Sequence, residues 1–308
     1  MIRSVIASLL AFITCVMSLT AADNKLPATT LFDRDNLVAW CIVPFDSKNR
    51  SPEDRAAMMK KLGFKKFAYD WRGEHLPTFE REIAALKKEG IELTAIWFPG
   101  GLGKEAQTLL DALKKHDIHT QLWVSMGGGG PAKTPEEQAQ KVRDHAKAVK
   151  PIAEAAAKQG CTVALYNHGG WFGEPENQLA IIDELKMPNV GIVYNLHHGH
   201  DHLDRLPGLL KKMQPHLLAF NLNGMMPDGE RKGKKILPLG QGELDLKLLK
   251  MLVDSGWKGP VGILGHTSDD AEERLKDNLD GLEWLLPQLA GEKPGPLLKP
   301  RRCGLPHP

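Results

Sequence analysis

The sequence contains little cysteine. Only four cysteines occur among 308 residues, and no two of them form a Cys-x-x-Cys pair. This scarcity excludes a zinc knuckle and a dense disulfide framework. Cys41 and Cys161 lie inside apolar runs, so we predict that both are buried thiols that pack as small hydrophobic side chains.

The sequence also lacks an excess of charge of either sign. Its 40 Lys and Arg residues are balanced by 38 Asp and Glu residues, which gives a net charge of +2. A protein that binds the nucleic-acid backbone needs a concentrated basic surface. We therefore expect no nucleic-acid partner.

Long hydrophobic runs are absent except at the N-terminus. The stretch Val5–Leu19 is almost continuously apolar, follows Arg3 and precedes the small residues Thr20-Ala21-Ala22. We predict a signal peptide at residues 1–22, cleavage after Ala22, and a protein that is exported to the periplasm or secreted with no membrane span left. A membrane anchor is the alternative, but the run is shorter than the roughly 20 residues that a spanning helix needs.

After a lead-in at residues 23–36, eight short apolar runs alternate with longer segments of helical period. Near-continuous hydrophobicity is typical of parallel strands that are buried on both faces. The runs are Leu37–Pro44, Lys66–Trp71, Glu92–Phe98, Thr120–Met126, Thr162–His168, Val190–His197, Leu217–Asn223 and Pro260–His266.

The helical segments have clear ends. Ser51 and Thr134 each precede a proline and an acidic residue, which is typical of a helix N-terminus. Four of the helical segments stop at a glycine shortly before the next apolar run, at Gly63, Gly90, Gly160 and Gly256. Glycine readily adopts the left-handed conformation that ends a helix.

These alternating units predict an α/β protein with a single (β/α)8 TIM barrel at residues 37–288. Eight units of about 32 residues give about 250 residues, the usual size of such a barrel. The rival architecture, a doubly wound open sheet, normally has a glycine fingerprint after its first strand, and none is present. Residues 291–308 include five prolines, and we predict a disordered tail there.

Polar and aromatic residues follow the predicted strands, where a TIM barrel builds its site. Amide groups bind hydroxyl groups as both donor and acceptor, and indole rings cover the apolar faces of sugars, so we predict a sugar or polyol ligand. Barrel packing for the tryptophans and turn formation for the asparagines are the alternatives. The candidate substrate-binding residues are Asp70, Trp71, Trp97, Trp123, Tyr166, Asn167, Asn195, His197, Asn221 and Asn223.

Three histidines are the candidate catalytic residues. His168, His198 and His266 follow the fifth, sixth and eighth strands, so a closed barrel brings them to one pocket. Imidazole titrates near neutral pH and can serve as a general acid or base. The histidine-rich run at residues 197–202 offers enough imidazoles for a metal site, or is an exposed loop with one useful histidine.

Three stretches resemble the xylose isomerase-like TIM barrel family. They are Ala164-Leu165-Tyr166-Asn167-His168-Gly169-Gly170, residues 190–198 (Val-Gly-Ile-Val-Tyr-Asn-Leu-His-His) and residues 239–245 (Leu-Gly-Gln-Gly-Glu-Leu-Asp). The resemblance implies a barrel that isomerises or epimerises sugars or sugar phosphates, or that cleaves DNA at apurinic sites. It also implies a divalent cation held by Glu, Asp, His and Glu.

The residues at those four ligand positions are Tyr166, Asn195, Asn221 and, approximately, Gly265. Amide and phenol oxygens are far weaker ligands for a hard cation than carboxylates are. Whether a metal cofactor is bound therefore stays open.

Two functions follow from the sequence. The first is an exported isomerase or epimerase, or a related lyase, that acts on a sugar or sugar derivative by acid/base chemistry of the histidines or at an atypical metal site. The second is a catalytically silent barrel that binds a carbohydrate and has lost the metal site of the family.

Overall fold

A computed structural model of the chain describes residues 30–296 and 299–301. The predicted signal peptide lies outside these residues, as does the lead-in up to residue 29. The described part of the lead-in begins with a short 3-10 helix, Thr30–Phe32, whose Leu31 and Phe32 are buried. Its Asn36 donates hydrogen bonds to the carbonyl oxygens of Leu31 and Gly259, each at 2.8 Å.

Eight parallel strands form a closed barrel in chain order. The first and last strands pair in register from Leu37 with Val261 to Trp40 with Leu264, so the predicted TIM barrel is confirmed. The strands are β1 Leu37–Trp40, β2 Lys66–Tyr69, β3 Glu92–Phe98, β4 Gln121–Val124, β5 Thr162–Tyr166, β6 Val190–Asn195, β7 Leu217–Leu222 and β8 Val261–Leu264.

Helices follow the strands and surround the barrel. Ser51 and Thr134 cap their helices as predicted, each accepting a hydrogen bond of 3.2 Å from the amide three residues on. The four predicted terminal glycines all have positive φ angles. The helices are α1 Pro52–Leu62, α2 Phe79–Glu89, α3 Lys104–Lys115, α4 Pro135–Ala157, α5 Gly170–Gly173, α6 Pro175–Leu185, α7 Leu206–Met213, α8 Asp245–Asp254 and α9 Ala271–Leu289.

The interior of the barrel combines large aromatic side chains with small ones. The ring centroids of Trp40 and Trp123 lie 4.6 Å apart, and Trp40 also meets Tyr166 at 6.2 Å. Alanines on the neighbouring strands leave the space that these rings fill. The buried interior cluster contains Val38, Trp40, Cys41, Ala68, Ala95, Trp123, Ala164, Tyr166, Val193, Ala219 and Leu264.

A second and larger apolar layer lies between the barrel and its helices. Cys161 belongs to this layer and Cys41 to the interior, and both are buried free thiols, as predicted. Within residues 30–296 and 299–301, no helix combines the length and apolar character needed to cross a bilayer.

The described residues of the C-terminal tail contact α9. Trp284 donates a hydrogen bond of 2.9 Å to the carbonyl oxygen of Gly295. The guanidinium group of Arg301 forms ion pairs of 2.7 Å with Asp277 and with Asp280. The rest of the predicted disordered tail lies outside the described residues.

Candidate functional site

A pocket opens at the C-terminal ends of the barrel strands, where the sequence predicts the site. Its empty volume, including the space open to solvent, is about 350 Å³. Residues from six of the eight strand ends or the loops after them line it: Trp40, Cys41, Phe45, Asp70, Arg72, Trp97, Tyr166, His168, His197, His198 and His266.

Four imidazole rings form one wall of this pocket. The ring centroids of His168 and His198 lie 4.4 Å apart, and those of His197 and His198 lie 3.7 Å apart. His266 meets His197 at 5.8 Å. The barrel therefore brings together the three histidines predicted as catalytic and the neighbouring His197.

The local backbone explains how these rings converge. His168 lies two residues after the end of β5, in a turn in which its amide donates to the carbonyl oxygen of Tyr166 at 2.9 Å. His197 and His198 belong to a 3-10 helix, Leu196–His198, that follows β6 directly. His266 lies two residues after β8.

Burial keeps three of these imidazoles neutral at physiological pH. Desolvation, together with the positive charge that His168 can carry, lowers the pKa of His198 to about 3. Desolvation is also the main reason that the pKa values of His168 and His197 lie below the ordinary value. A neutral imidazole has one donor and one acceptor nitrogen, so the wall can both accept a proton and donate a hydrogen bond.

Asp70 is the carboxylate of the pocket, and it is 2% exposed. Its Oδ1 accepts a hydrogen bond of 3.2 Å from the amide of Val43, whereas its Oδ2 has no hydrogen-bond partner among the described residues. Burial raises the pKa of Asp70 to about 6, against the opposing effect of the Arg72 charge. A partnerless buried oxygen at the pocket is available to a hydroxyl group of a ligand.

Aromatic rings also line the pocket and contact the histidines. Trp97 lies 5.0 Å from Tyr166 and 5.7 Å from His168, measured between ring centroids. Tyr166 is 2% exposed, and burial raises the pKa of its hydroxyl group well above the ordinary value. It therefore remains a neutral phenol.

Six of the predicted substrate-binding residues do not line the pocket. Two of them, Asn195 and Asn221, are fully buried, and the other four make structural contacts elsewhere. Trp71 donates from Nε1 to the carbonyl oxygen of Trp97 at 2.6 Å, and Trp123 lies in the barrel interior, where it donates to Gln121 Oε1 at 2.9 Å. The amide group of Asn167 joins β5 to the main chain of Asn195 at 2.7 and 3.1 Å. Asn223 donates to the carbonyl oxygen of Gly224 at 2.9 Å.

Four further residues line the pocket without having been predicted as site residues. Phe45 and Arg72 lie in the loops after β1 and β2, while Trp40 and Cys41 lie at the end of β1. The rule that strand ends build the site points to Trp40 and Arg72. It gives no reason to select Phe45, which reaches the pocket because its loop folds back over the barrel.

The described residues do not fit the divalent cation that the family resemblance implies. Asn195 and Asn221 are fully buried, Tyr166 offers a neutral phenol, and Gly265 has no side chain. A methyl group at Gly265 would lie 2.6 Å from Ile42 Cγ2, so a larger ligating residue has no room there. Across the part of the chain that the structure covers, no three His, Cys, Asp or Glu residues form a metal-binding group.

Comparisons with known proteins agree with the barrel fold. A 3-keto-D-glucoside 4-epimerase from E. coli superposes with a TM-score of 0.59 at 18% identity, covering 82% of this chain and 98% of that one. A probable 3-DHS dehydratase from Bacillus anthracis superposes with a TM-score of 0.62 at 16% identity, covering 81% and 98%. A D-tagatose 3-epimerase-like protein gives a TM-score of 0.58 at 15% identity, covering 82% and 99%.

These identities establish a common fold and nothing finer. No curated protein matches the sequence. Residues 56–288, however, match the family described as xylose isomerase-like TIM barrel. The match extends over more than half of the chain, and the chain belongs to the xylose isomerase-like TIM barrel family.

Proposed function

We propose that this protein binds a sugar or sugar derivative in the pocket and isomerises or epimerises it by imidazole acid/base chemistry. The observation that carries this proposal is the pair formed by His168 and His198, whose ring centroids lie 4.4 Å apart in the same pocket. Asp70 supplies a buried acceptor for a hydroxyl group, and Trp97 supplies an apolar surface. The similar structures include a 3-keto-D-glucoside 4-epimerase and a D-tagatose 3-epimerase-like protein, which agrees with this substrate class.

In the proposed reaction, one neutral imidazole removes the proton from the carbon next to the carbonyl group of the substrate. The other imidazole donates a hydrogen bond to the carbonyl oxygen, which becomes the oxyanion of an enediolate. To form the isomer, the proton returns to the former carbonyl carbon, while the second imidazole gives its N–H proton to the oxyanion and takes the proton of the adjacent hydroxyl group, which becomes the new carbonyl oxygen. To form the epimer, the second imidazole protonates the same carbon from the opposite face, and the two imidazoles then recover their starting protonation by exchange with solvent. Positioned acid/base groups of this kind contribute roughly 10²- to 10⁴-fold to a rate.

Solvent exchange tests this step directly. The wild-type protein is incubated in D2O with a panel of aldoses, ketoses and keto-sugars, and deuterium at the carbon beside the carbonyl group is followed by NMR. We expect incorporation with the true substrate, and a loss of about 10²-fold or more in His168→Ala and in His198→Ala.

His216→Ala is the matched control, because His216 precedes β7 at the opposite end of the barrel. It should exchange deuterium at the wild-type rate. Wild-type exchange in both pocket variants would exclude the imidazole mechanism.

A silent carbohydrate-binding barrel is the second candidate function. The observation that favours it is the occupation of the implied ligand positions by Tyr166, Asn195 and Asn221, which are buried and carry no carboxylate. This candidate predicts that sugars bind in calorimetry while no deuterium is incorporated, and it fails if any sugar of the panel exchanges.

We also propose that the protein acts after export. The support is the sequence of residues 1–22, with its basic start, apolar run and small residues. Mass spectrometry of the protein recovered outside the cytoplasm should give a chain that starts at Asp23. A cytoplasmic chain that retains residues 1–22 would contradict export.

A further inference from the structure

Arg72 is held at the rim of the pocket in a fixed orientation. Its Nη1 donates hydrogen bonds of 2.8 Å to the carbonyl oxygens of Asp70 and Trp71. Its guanidinium carbon lies 5.4 Å from the ring centroid of Phe45, and that ring in turn lies 3.7 Å from the ring of His266. These contacts order a side chain that would otherwise lose considerable entropy on binding a ligand.

The rest of the Arg72 guanidinium group is left without a protein partner. Neither Nε nor Nη2 makes a hydrogen bond within the described residues, and Arg72 forms no ion pair there. Arginine presents these nitrogens as a planar fork that matches the two oxygens of a carboxylate. A preordered fork at the rim of a pocket is a site for an anionic group of a ligand.

The charges around the pocket favour the same kind of ligand. Among the described residues, Asp70 is the only one with a carboxyl group that lines the pocket, and its raised pKa reduces its negative charge near neutral pH. The positive charges of Lys235 and Arg72 both reach His168 and lower its pKa. An anion at the rim would lie in this positive potential without meeting a fully charged carboxylate.

We propose that the ligand of this pocket is a sugar acid, whose carboxylate binds the free edge of Arg72 while a hydroxyl group donates to Asp70 Oδ2. This inference rests on the proposed function and narrows it to one substrate class. The carboxylate lies at the rim, where Arg72 is solvent-exposed, and the carbon chain extends inward toward the imidazole wall.

Calorimetry with matched sugar pairs tests this assignment. The pairs are D-glucuronate with D-glucose and D-galacturonate with D-galactose, which differ only in the carboxylate. Because charge-assisted hydrogen bonds are about twice as strong as neutral ones, we expect the wild-type protein to bind the uronates about tenfold tighter or more. Added NaCl should weaken uronate binding and leave neutral-sugar binding unchanged.

Arg72→Gln should remove the preference for the uronates, and circular dichroism with thermal unfolding shows whether the variant is folded. Arg72→Lys should retain a part of the preference, because it keeps the charge and loses the fork. Arg34→Gln is the matched control. Arg34 precedes β1 at the opposite end of the barrel, where it pairs with Glu283 at 2.7 Å, and its loss should leave the preference unchanged.

The outcomes separate this inference from the proposed function. Equal affinity for uronates and neutral sugars, or a preference that survives in Arg72→Gln, overturns the assignment of a sugar acid and leaves sugar binding in place. A preference for D-glucose 6-phosphate over D-glucuronate overturns the carboxylate in favour of a phosphate. If no sugar of either kind binds, both this inference and the proposed function fail.

Discussion

At the scale of single residues, Asp70 shows the conflict between stability and a binding site. A carboxyl group with one oxygen bonded to an amide and the other without a partner is costly to bury in its charged form. Arg72 lies nearby but forms no ion pair with it among the described residues, because its Nη1 is bonded to main-chain oxygens. Strongly perturbed carboxyl groups in a pocket mark functional sites more often than structural ones.

Replacement of Asp70 by Asn should stabilise the protein at neutral and alkaline pH. Burial raises the pKa of Asp70 in the folded state to about 6 from its ordinary value of 3.8, so the contribution of Asp70 to the free energy of unfolding falls as the pH rises from about 4 through 6. An asparagine does not titrate, so it causes no fall in the free energy of unfolding as the pH rises. Its side-chain oxygen can still accept the hydrogen bond from the amide of Val43. The advantage of Asp70→Asn over wild type should grow by about 2–3 kcal/mol between pH 4 and pH 8.

Urea unfolding of both proteins at each pH measures this difference, and the other buried carboxyl groups cancel because both proteins contain them. Asp183→Asn, at an exposed position on α6, is the control and should track wild type throughout. A difference that is constant with pH would mean that Asp70 titrates near its ordinary pKa.

At this scale, the sequence predicted the histidines of the pocket, but it did not predict which of the other polar and aromatic side chains face the pocket. His168, His198 and His266 follow strands, and the order of strands in a closed barrel places them together. The sequence cannot show which way an asparagine or tryptophan points, because one residue of offset moves a side chain from the interior to the helix layer. Trp71 and Asn167 lie on that outer side, whereas Asp70 and Tyr166 face the pocket.

At the scale of elements, β7 and β8 pack together because the side chain of Asn221 on β7 lies against Gly262 on β8. These residues are neighbours in the parallel register, and neither polar atom of the Asn221 side chain has a hydrogen-bond partner among the described residues. A methyl group at Gly262 would lie 1.8 Å from Asn221 Oδ1. The absence of a side chain at Gly262 therefore leaves the space into which the Asn221 side chain packs.

Gly262→Ala should destabilise the protein by about 3 kcal/mol, at the upper end for overpacking in a rigid interior. Asn221→Ala should be nearly neutral, because it removes a buried amide group that lacks partners. The double variant should recover most of the lost stability, and a double-mutant cycle in urea measures the coupling. Additive effects would show that the two positions do not share this space.

The elements themselves were largely predictable. All eight strands begin within one residue of the predicted position, because buried parallel strands are continuous apolar runs. Most end earlier than predicted, since the apolar run continues into the loop: β1 ends at Trp40, while Cys41, Ile42 and Val43 are still buried. Hydrophobicity records burial, and it cannot show where the pairing of the strands stops.

At the scale of the whole molecule, closure of the barrel depends on contacts that no local pattern encodes. Arg50, in the loop after β1, donates from Nη1 to Asp46 at 2.7 and 2.9 Å and from Nη2 to Asp270 at 2.8 Å. Asp270 is the N-cap of α9, and the amide of Ser47 donates to the carbonyl oxygen of Asp269 at 2.9 Å. The first and last βα units are thus joined by charges more than 200 positions apart in the sequence.

Replacement of Arg50 by Met should loosen this closure. It leaves the carboxylates of Asp46 and Asp270 without their shared cation in a site where the Arg50 side chain is only 14% exposed, and we expect a loss of about 3 kcal/mol. Arg81→Met is the matched control, because the Arg81–Glu53 pair is more than half exposed on both sides and should cost less than about 1 kcal/mol.

Hydrogen exchange locates the effect: amides of β1 and β8 should exchange faster in Arg50→Met, while those of β4 and β5, on the far side of the barrel, should change least. Equal acceleration in all strands would show that Arg50 stabilises the fold as a whole and does not act at the seam between its two ends.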